Sequence, residues 1–117
     1  MNLLKNFILA TFFFVSVAFI PFHHGWADYN QDKVIDYTGI VQEVIYENPH
    51  ATAKVKDKDK TWTVVLAPIS RMQERGIKPD MLKKGTSVRL VGYQHREIQD
   101  EMRAERIYIN GKMYELR

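Results

Sequence analysis

Apolar and polar residues alternate with a period of two along most of the chain from residue 34 onward. In the segment TWTVVL, Trp62, Val64 and Leu66 fall on one face, and the residues between them fall on the other. This alternation is typical of a β-strand with one buried face. Similar runs bounded by turn residues predict further strands. The predicted strands cover residues 38–46, 50–55, 61–66, 86–93, 102–109 and 113–116.

The pattern changes between the third and fourth predicted strands. Ser70 and Gln73 have the spacing of a helical capping box, in which each side chain bonds the other residue's backbone. The residues RMQER then predict a short helix that Gly76 ends in a left-handed conformation. Pro79 opens a second helical turn. One short helical connection therefore separates the two groups of strands.

Turn residues inside and between the strands indicate how the sheet is shaped. Asn110-Gly111 between two strand-like runs is a strong hairpin signal. Gly39 and Gly92 lie inside strands, where glycine usually marks a bulge or tight coiling. Strong coiling allows a small sheet to curl into a partly open barrel. We therefore predict a mostly β, OB-like barrel of five to six strands over residues 37–117; an open sheet with the helix on one face is the alternative.

The N-terminal segment MNLLKNFILATFFFVSVAFI has a different character. Lys5 precedes an uncharged apolar stretch, and Ser16 and Ala18 are small residues at the positions that signal peptidase recognises. The apolar stretch is shorter than the roughly 20 residues of a membrane-spanning helix. We expect a signal peptide over residues 1–18, with alternative ends at residues 22 and 27, and a lead-in over residues 19–36. The protein would then be periplasmic or secreted, touching a membrane only through an uncleaved leader.

Composition narrows the functional classes. The 117 residues include 17 Lys and Arg against 14 Asp and Glu, a net charge of +3, which is far below that of a typical nucleic-acid-binding domain. The absence of cysteine excludes disulfides, thiolate catalysis and thiolate zinc sites. No Ser/His/Asp arrangement of a recognised kind is present. We therefore expect a binding protein and not an enzyme.

Charged residues in and beside the predicted strands are interpreted as structural. Four glutamates alternate with Arg103 and Arg106, as they would in cross-strand charge pairs; they are Glu43, Glu47, Glu101 and Glu105.

Three of the four histidines lie in two distinctive motifs. His23 and His24 belong to HHGW, and His50 follows the strand-ending Asn48-Pro49. Neutral imidazole is a common ligand of Cu(II) and Zn(II). If the lead-in folds back towards the end of the first strand, these three side chains could bind copper or zinc. The alternative is that His23 and His24 lie on an exposed segment and that His50 only completes a turn.

The motifs HHGW, ENPH, LAPxxR and RAERI follow one another in an order that resembles small secreted bacterial proteins of domain-of-unknown-function family 6152. The resemblance extends from about residue 23 to the C-terminus. It implies an exported OB-like domain without an assigned activity. Besides the three histidines, its motif positions include the residues that we take as candidate ligand-binding positions. These are Trp26, Asn48, Trp62 and Arg71.

These observations leave three functional hypotheses open. The first is a binding protein for a small ligand or a metal ion, with its site where the lead-in meets His50. The second is a structural or protein-interaction module of the cell envelope, in which the lead-in serves as an added strand or clamp. The third is oligonucleotide binding through aromatic and arginine side chains on the sheet. Export and the modest net charge disfavour nucleic acid.

Overall fold

The computed structural model describes residues 25–117, and the predicted signal peptide, His23 and His24 lie outside the described residues. The prediction of a mostly β fold is confirmed: six strands form one sheet in the order β3-β2-β1-β4-β5-β6. The strands are β1 (Tyr29–Ile45), β2 (Thr52–Asp57), β3 (Lys60–Val65), β4 (Ser87–His95), β5 (Glu101–Ile109) and β6 (Lys112–Glu115).

Neighbouring strands in this order are antiparallel. One further pairing joins β3 to β5, which lie at the two ends of the set formed by β1 to β5. Residues 63–65 of β3 pair in parallel with residues 101–103 of β5. Each of β1 to β5 therefore pairs with at least two other strands, and the pairings return to their starting point. At the other end of β5, Asn110 and Gly111 form the predicted turn to β6, with φ angles of 51° and 79°.

The short helix between the third and fourth strands is also confirmed. Helix α1 (Ile69–Glu74) is followed by a 3-10 turn at Pro79–Leu82. Gly76 ends α1 with a φ of 81°, and the N–H of Ile77 donates to the carbonyl of Met72 at 2.9 Å, as in a Schellman motif.

The predicted capping box is wrong. The N-cap position belongs to Pro68, and no side chain caps the helix. Ser70 lies inside the first turn of α1 instead of preceding it, so its hydroxyl is not at the position from which an N-cap residue bonds the first free N–H groups.

Strand β1 begins at Tyr29, within the predicted lead-in of residues 19–36. Its first residues are mostly polar and exposed, so they show no alternation that would have predicted a strand. They pair with β4 through an irregularity, since Tyr29 lies opposite His95 and the next paired residue, Val34, lies opposite Tyr93. β1 therefore carries more residues than β4 between these two pairs, and its residues 30–33 form a bulge there.

One hydrophobic core lies inside the sheet and under α1. Residues from all the strands except β6 contribute to it, together with Met72 of α1 and Ile77 and Leu82 after the helix. Trp62, Val64 and Leu66 lie on the buried face, as the alternation predicts. Among residues 25–117, no helix has the length and apolar character needed to cross a bilayer.

Gly92 allows an unusually close approach of two strands. A Cβ atom at this position would lie 2.0 Å from the carbonyl oxygen of Arg103. The pairing of β4 with β5 shifts register between Val91 and Gly92, which confirms the predicted bulge. A Cβ atom added at Gly39 would lie 2.7 Å from the carbonyl oxygen of Lys56. The pairing of β1 with β2 shifts register slightly further along β1, between Val41 and Glu43.

Candidate functional site around Arg103

Among the described residues, Arg103 is the one buried residue that carries a charge. It lies on β5 between Met102 and Ala104, which belong to the hydrophobic core. Because side chains alternate along a strand, Arg103 projects to the other face of β5. That face is covered, and Arg103 keeps only 8% of its surface exposed. A buried guanidinium without a carboxylate partner is uncommon, because removing a charge from water is costly.

The cover over Arg103 includes the 3-10 turn Trp26–Asp28. The ring centroid of Trp26 lies 4.4 Å from Cζ of Arg103 and 4.3 Å from Cζ of Arg117. It also meets the edge of the Tyr93 ring at 6.1 Å. Contacts of an aromatic face with guanidinium groups are attractive cation–π interactions. Trp26 therefore brings the start of the described chain, β4, β5 and the C-terminus together.

Hydrogen bonds hold this turn against the sheet. The Gln31 amide donates to the carbonyl oxygen of Trp26 at 3.1 Å. Arg96 donates twice, from its backbone N–H to the Asp28 carbonyl at 2.9 Å and from Nε to the Ala27 carbonyl at 3.0 Å. The turn is thus anchored both to the start of β1 and to the loop after β4.

Arg117 is positioned by the last residues of the chain. Leu116 is buried, and its N–H donates to the Glu105 carbonyl at 2.8 Å. The Arg117 guanidinium then donates to Oε1 of Gln31 at 3.1 Å and to Oε1 of Glu105 at 3.2 Å. The C-terminal residue is therefore directed towards Trp26, whereas β6 itself lies at the edge of the sheet.

Helix α1 contributes a third guanidinium. Arg71 donates from Nη1 to the backbone carbonyl of Leu116 at 3.3 Å. This acceptor is neutral, so the bond leaves the charge of Arg71 uncompensated. Arg71 also acts electrostatically on Arg103.

The electrostatics of Arg103 reflect this setting. Burial is the main cause that lowers the pKa of Arg103, and the positive charges of Arg71 and Arg117 add to the effect, whereas Tyr29 and Asp28 oppose it. Its Nε atom is buried and has no hydrogen-bond partner. The site therefore contains a charged hydrogen-bond donor, Nε of Arg103, for which the described residues provide no acceptor.

His50 lies in the same electrostatic environment. It is half-buried in the loop between β1 and β2. The pKa of His50 is lowered, first by burial and then by the positive charges of Arg103 and Arg71. The imidazole is therefore neutral at neutral pH. Of the predicted site residues, Trp26 thus contacts Arg103, and His50 and Arg71 lie within electrostatic range of it.

Two other predicted ligand-binding residues occupy different settings. Trp62 is 7% exposed and belongs to the core, where its ring lies 6.1 Å from that of Tyr37. Lys60 places its Nζ 3.8 Å from the centroid of the same ring. Asn48 is exposed in the loop before β2, where it forms a cis peptide bond with Pro49.

The predicted metal triad is represented in the described part by His50 alone. Between residues 25 and 117, no group of three or more His, Asp or Glu side chains is close enough to hold a metal ion. The copper or zinc site that would use His23 and His24 remains a prediction.

Sequence reasoning assigned Arg103 to cross-strand charge pairs, and the structure corrects this. Within the described residues, Arg103 forms no ion pair, whereas Glu105 pairs with Arg106 at 3.4 Å and with Arg117 at 3.2 Å. Glu101 accepts a hydrogen bond from the Tyr29 hydroxyl at 2.6 Å. The signal that could have identified Arg103 is its position in a strand interior next to Met102 and Ala104, but that pattern is equally typical of a solvated face.

Residues 13–102 match the model of a family described as a family of unknown function, DUF6152. The chain belongs to this family. The DUF6152 match confirms the resemblance seen in the sequence motifs, and it includes Trp26, His50 and Arg71 but ends just before Arg103. A search of curated proteins finds none that matches the chain. Membership of DUF6152 carries no assigned activity, so the function has to be argued from the site.

The neutral His50 predicts a specific pH dependence of stability. Because the pKa of His50 is lower in the folded protein than its ordinary value of 6.5, the unfolded chain binds the proton more readily. This contribution to the free energy of unfolding is fully present above pH 6.5 and is lost as the pH falls through the lowered pKa. In urea unfolding from about pH 7.5 to about pH 5, a His50→Gln variant should therefore lose less stability than the wild type. Equal losses in the two proteins would contradict this expectation.

Proposed function

We propose that this protein is an exported binding protein, built as an OB-like barrel, that holds its ligand at the arginine cluster. The arginine cluster consists of Arg71, Arg103 and Arg117 with Trp26 and His50. The observation that carries the proposal is the buried Arg103, whose Nε has no partner beneath the Trp26 ring. A buried donor that the fold leaves unsatisfied is costly, and a ligand that accepts its hydrogen bonds removes that cost.

The strand pairing supports the barrel. An OB-fold is a five-stranded, partly open Greek-key barrel. Here β1 to β5 pair in a closed circuit that includes the parallel contact of β3 with β5, and α1 lies between β3 and β4. β6 extends the edge beside β5.

The position of the cluster agrees with this architecture. OB-folds bind their ligands at the face of strands 2 and 3 and at the loops that follow strands 1 and 4. His50 lies in the loop after β1, and Arg103 lies near the start of β5, soon after the loop that follows β4. On the proposed barrel, the arginine cluster would lie near the loops through which OB-folds bind their ligands.

Export is supported by the N-terminal sequence, with Lys5 followed by an uncharged apolar stretch and small residues at the expected cleavage position. Glu105, the carboxylate that contacts the cluster, is paired with Arg117 at 3.2 Å and with Arg106 at 3.4 Å, so it is engaged as a structural partner. We therefore propose binding and not catalysis.

Copper or zinc binding is a second candidate, because His50 is held neutral and a neutral imidazole is the form that ligates metals. Trp26, two residues after His24, contacts Arg103 directly. The neighbouring guanidinium groups, however, repel a cation. If this candidate function is correct, titration calorimetry would show that Cu(II) or Zn(II) binds with a dissociation constant below about 10 µM, a binding free energy of about −7 kcal/mol. A His50→Ala variant would lose this binding.

A ligand panel tests the proposed function. The ¹⁵N-labelled secreted protein would be titrated by NMR with neutral sugars, amino acids, carboxylates, inorganic phosphate, Cu(II) and Zn(II). We expect at least one compound to shift the signals of the Trp26 indole and of the backbone around His50 and Arg103. The same compound should bind an Arg89→Met variant normally, since Arg89 is exposed and already paired with Asp36 at 2.8 Å. If no compound in the panel shifts these signals, the proposed function is wrong.

A further inference from the structure

We propose that the ligand of the arginine cluster is an oxoanion, with a carboxylate or phosphate group bound to Arg103 as its anchor. This inference rests on the proposed function, since it names the chemical class of the ligand at the same site. It depends on three features of the described residues: a buried guanidinium without an ion-pair partner, the convergence of further positive charge, and the position of the aromatic cover.

The first feature is that the two glutamates on either side of Arg103 in β5 are engaged elsewhere. Glu101 accepts the hydrogen bond of the Tyr29 hydroxyl at 2.6 Å. Glu105 is shared between Arg106 at 3.4 Å and Arg117 at 3.2 Å, and it also accepts from a tyrosine hydroxyl. None of the ion pairs within residues 25–117 includes Arg103, although the negative charge of Asp28 acts on it and favours its charged form. A guanidinium offers five N–H donors, and these need acceptors when it is removed from water.

The second feature is that positive charge reaches the site from three separate parts of the fold. Arg71 extends from α1, Arg103 from β5 and Arg117 from the segment after β6. Arg71 and Arg117 both act on Arg103 as like charges. Arg117 has a carboxylate partner, but the hydrogen bond of Arg71 goes to a backbone carbonyl. Such convergence is unfavourable in an empty site and favourable around a bound anion.

The third feature is the placement of Trp26. The guanidinium carbons of Arg103 and Arg117 lie over the ring, 4.4 and 4.3 Å from its centroid. The N–H donors of a guanidinium lie in its plane and form a rigid fork that matches two oxygens of a carboxylate or phosphate. Contact with the ring therefore holds Arg103 in place while its Nε donor has no acceptor. The contact also removes rotational freedom that binding would otherwise have to remove.

Other ligand classes fit these features less well. A metal ion would meet three guanidinium groups, and a neutral sugar would leave their charge uncompensated. An oxoanion satisfies both the donors and the charge.

Calorimetric titration of the secreted protein tests the inference. Acetate, succinate, citrate, inorganic phosphate and sulfate would be compared at constant ionic strength, with chloride as the reference anion. We expect saturable binding of at least one oxoanion, and the carboxylate and phosphate arms show which group the site prefers. In Arg103→Met the affinity should fall at least tenfold, equivalent to about 1.4 kcal/mol. Arg89→Met, which removes an exposed arginine, should bind as the wild type does.

A stability measurement distinguishes ligand binding from a purely structural role of Arg103. Because Arg103→Met removes a buried charge without a partner, the unfolding midpoint without added oxoanion should equal or exceed that of the wild type. Arg103→Lys, which keeps the charge but not the fork, should fold and bind weakly. A lower midpoint for Arg103→Met together with unchanged oxoanion affinity would overturn the inference.

The ligand panel separates this inference from the proposed function. If a sugar or a metal ion shifts the signals of the cluster and no oxoanion binds, the anion inference is wrong and the binding function stands. If no compound of any class shifts those signals, both are wrong.

Discussion

Replacement of Gly92 by alanine is expected to lower the free energy of unfolding by about 3 kcal/mol, because the added methyl group has no space. Its Cβ would lie 2.0 Å from the carbonyl oxygen of Arg103 and 2.8 Å from Cα of Ala104. Both contacts are with backbone, so β4 and β5 must separate or the bulge must rearrange. Urea unfolding monitored by circular dichroism measures the loss.

Gly25→Ala is the matched control for Gly92→Ala. A Cβ at Gly25 would meet nothing within 4 Å, and its φ of −128° suits any residue. We expect its free energy of unfolding to stay within about 0.5 kcal/mol of the wild type. Because Gly92 lies against the backbone of Arg103, the Gly92 variant should also shift the NMR signals of the arginine cluster. A Gly92→Ala protein as stable as Gly25→Ala would show that the two strands do not approach this closely.

Truncation of Leu90 to alanine is expected to cost about 3 kcal/mol of unfolding free energy. Leu90 is completely buried in the middle of β4, where it lies between Tyr37 of β1 and Ile107 of β5 in the strand pairing. Alanine would leave a cavity that the paired backbones on both sides cannot close. Thermal and urea unfolding should give the same direction of change.

Val34→Ala provides the comparison for the Leu90 truncation. Val34 is an aliphatic residue of the neighbouring strand but is 62% exposed, so its truncation should change the free energy of unfolding by less than about 0.5 kcal/mol. Similar losses for the two variants would contradict the assignment of Leu90 to the core.

The strands that could be predicted were those in which apolar residues alternate with polar ones, because this alternation reflects which side chains are buried. In TWTVVL the alternation separates core residues from solvent-facing ones, and the observed β3 (Lys60–Val65) agrees within one residue at either end. Turns were predictable for a local reason: Asn110 and Gly111 adopt positive φ angles, which few other residues tolerate. The connection containing α1 followed from Gly76 and Pro79 in the same way.

The start of β1 could not be predicted, since residues 30–33 are polar and mostly exposed and pair irregularly with β4. Their strand conformation is determined by a neighbour distant in sequence. The capping box failed for a related reason. Ser70 has the correct spacing to Gln73, but the chain arriving from β3 turns at Pro68, so the helix begins before the serine could cap it.

The candidate site likewise contains some residues that could be predicted from the sequence and others that could not. Trp26, His50 and Arg71 were predicted from motifs, without any indication that they share a neighbour. Arg103 could not be distinguished from a solvated strand arginine, because it is covered by a segment distant in sequence, the turn at Trp26–Asp28.

The sequence by itself determined the strand faces, the turns, the short helix and the membership of DUF6152. These depend on residue type and local spacing. Only the tertiary structure decided that Arg71, Arg103 and Arg117 meet beside Trp26 and His50, since these residues come from opposite ends of the chain and from different elements. Whether a charge is buried depends on which distant segments cover it, and local spacing carries no information about that.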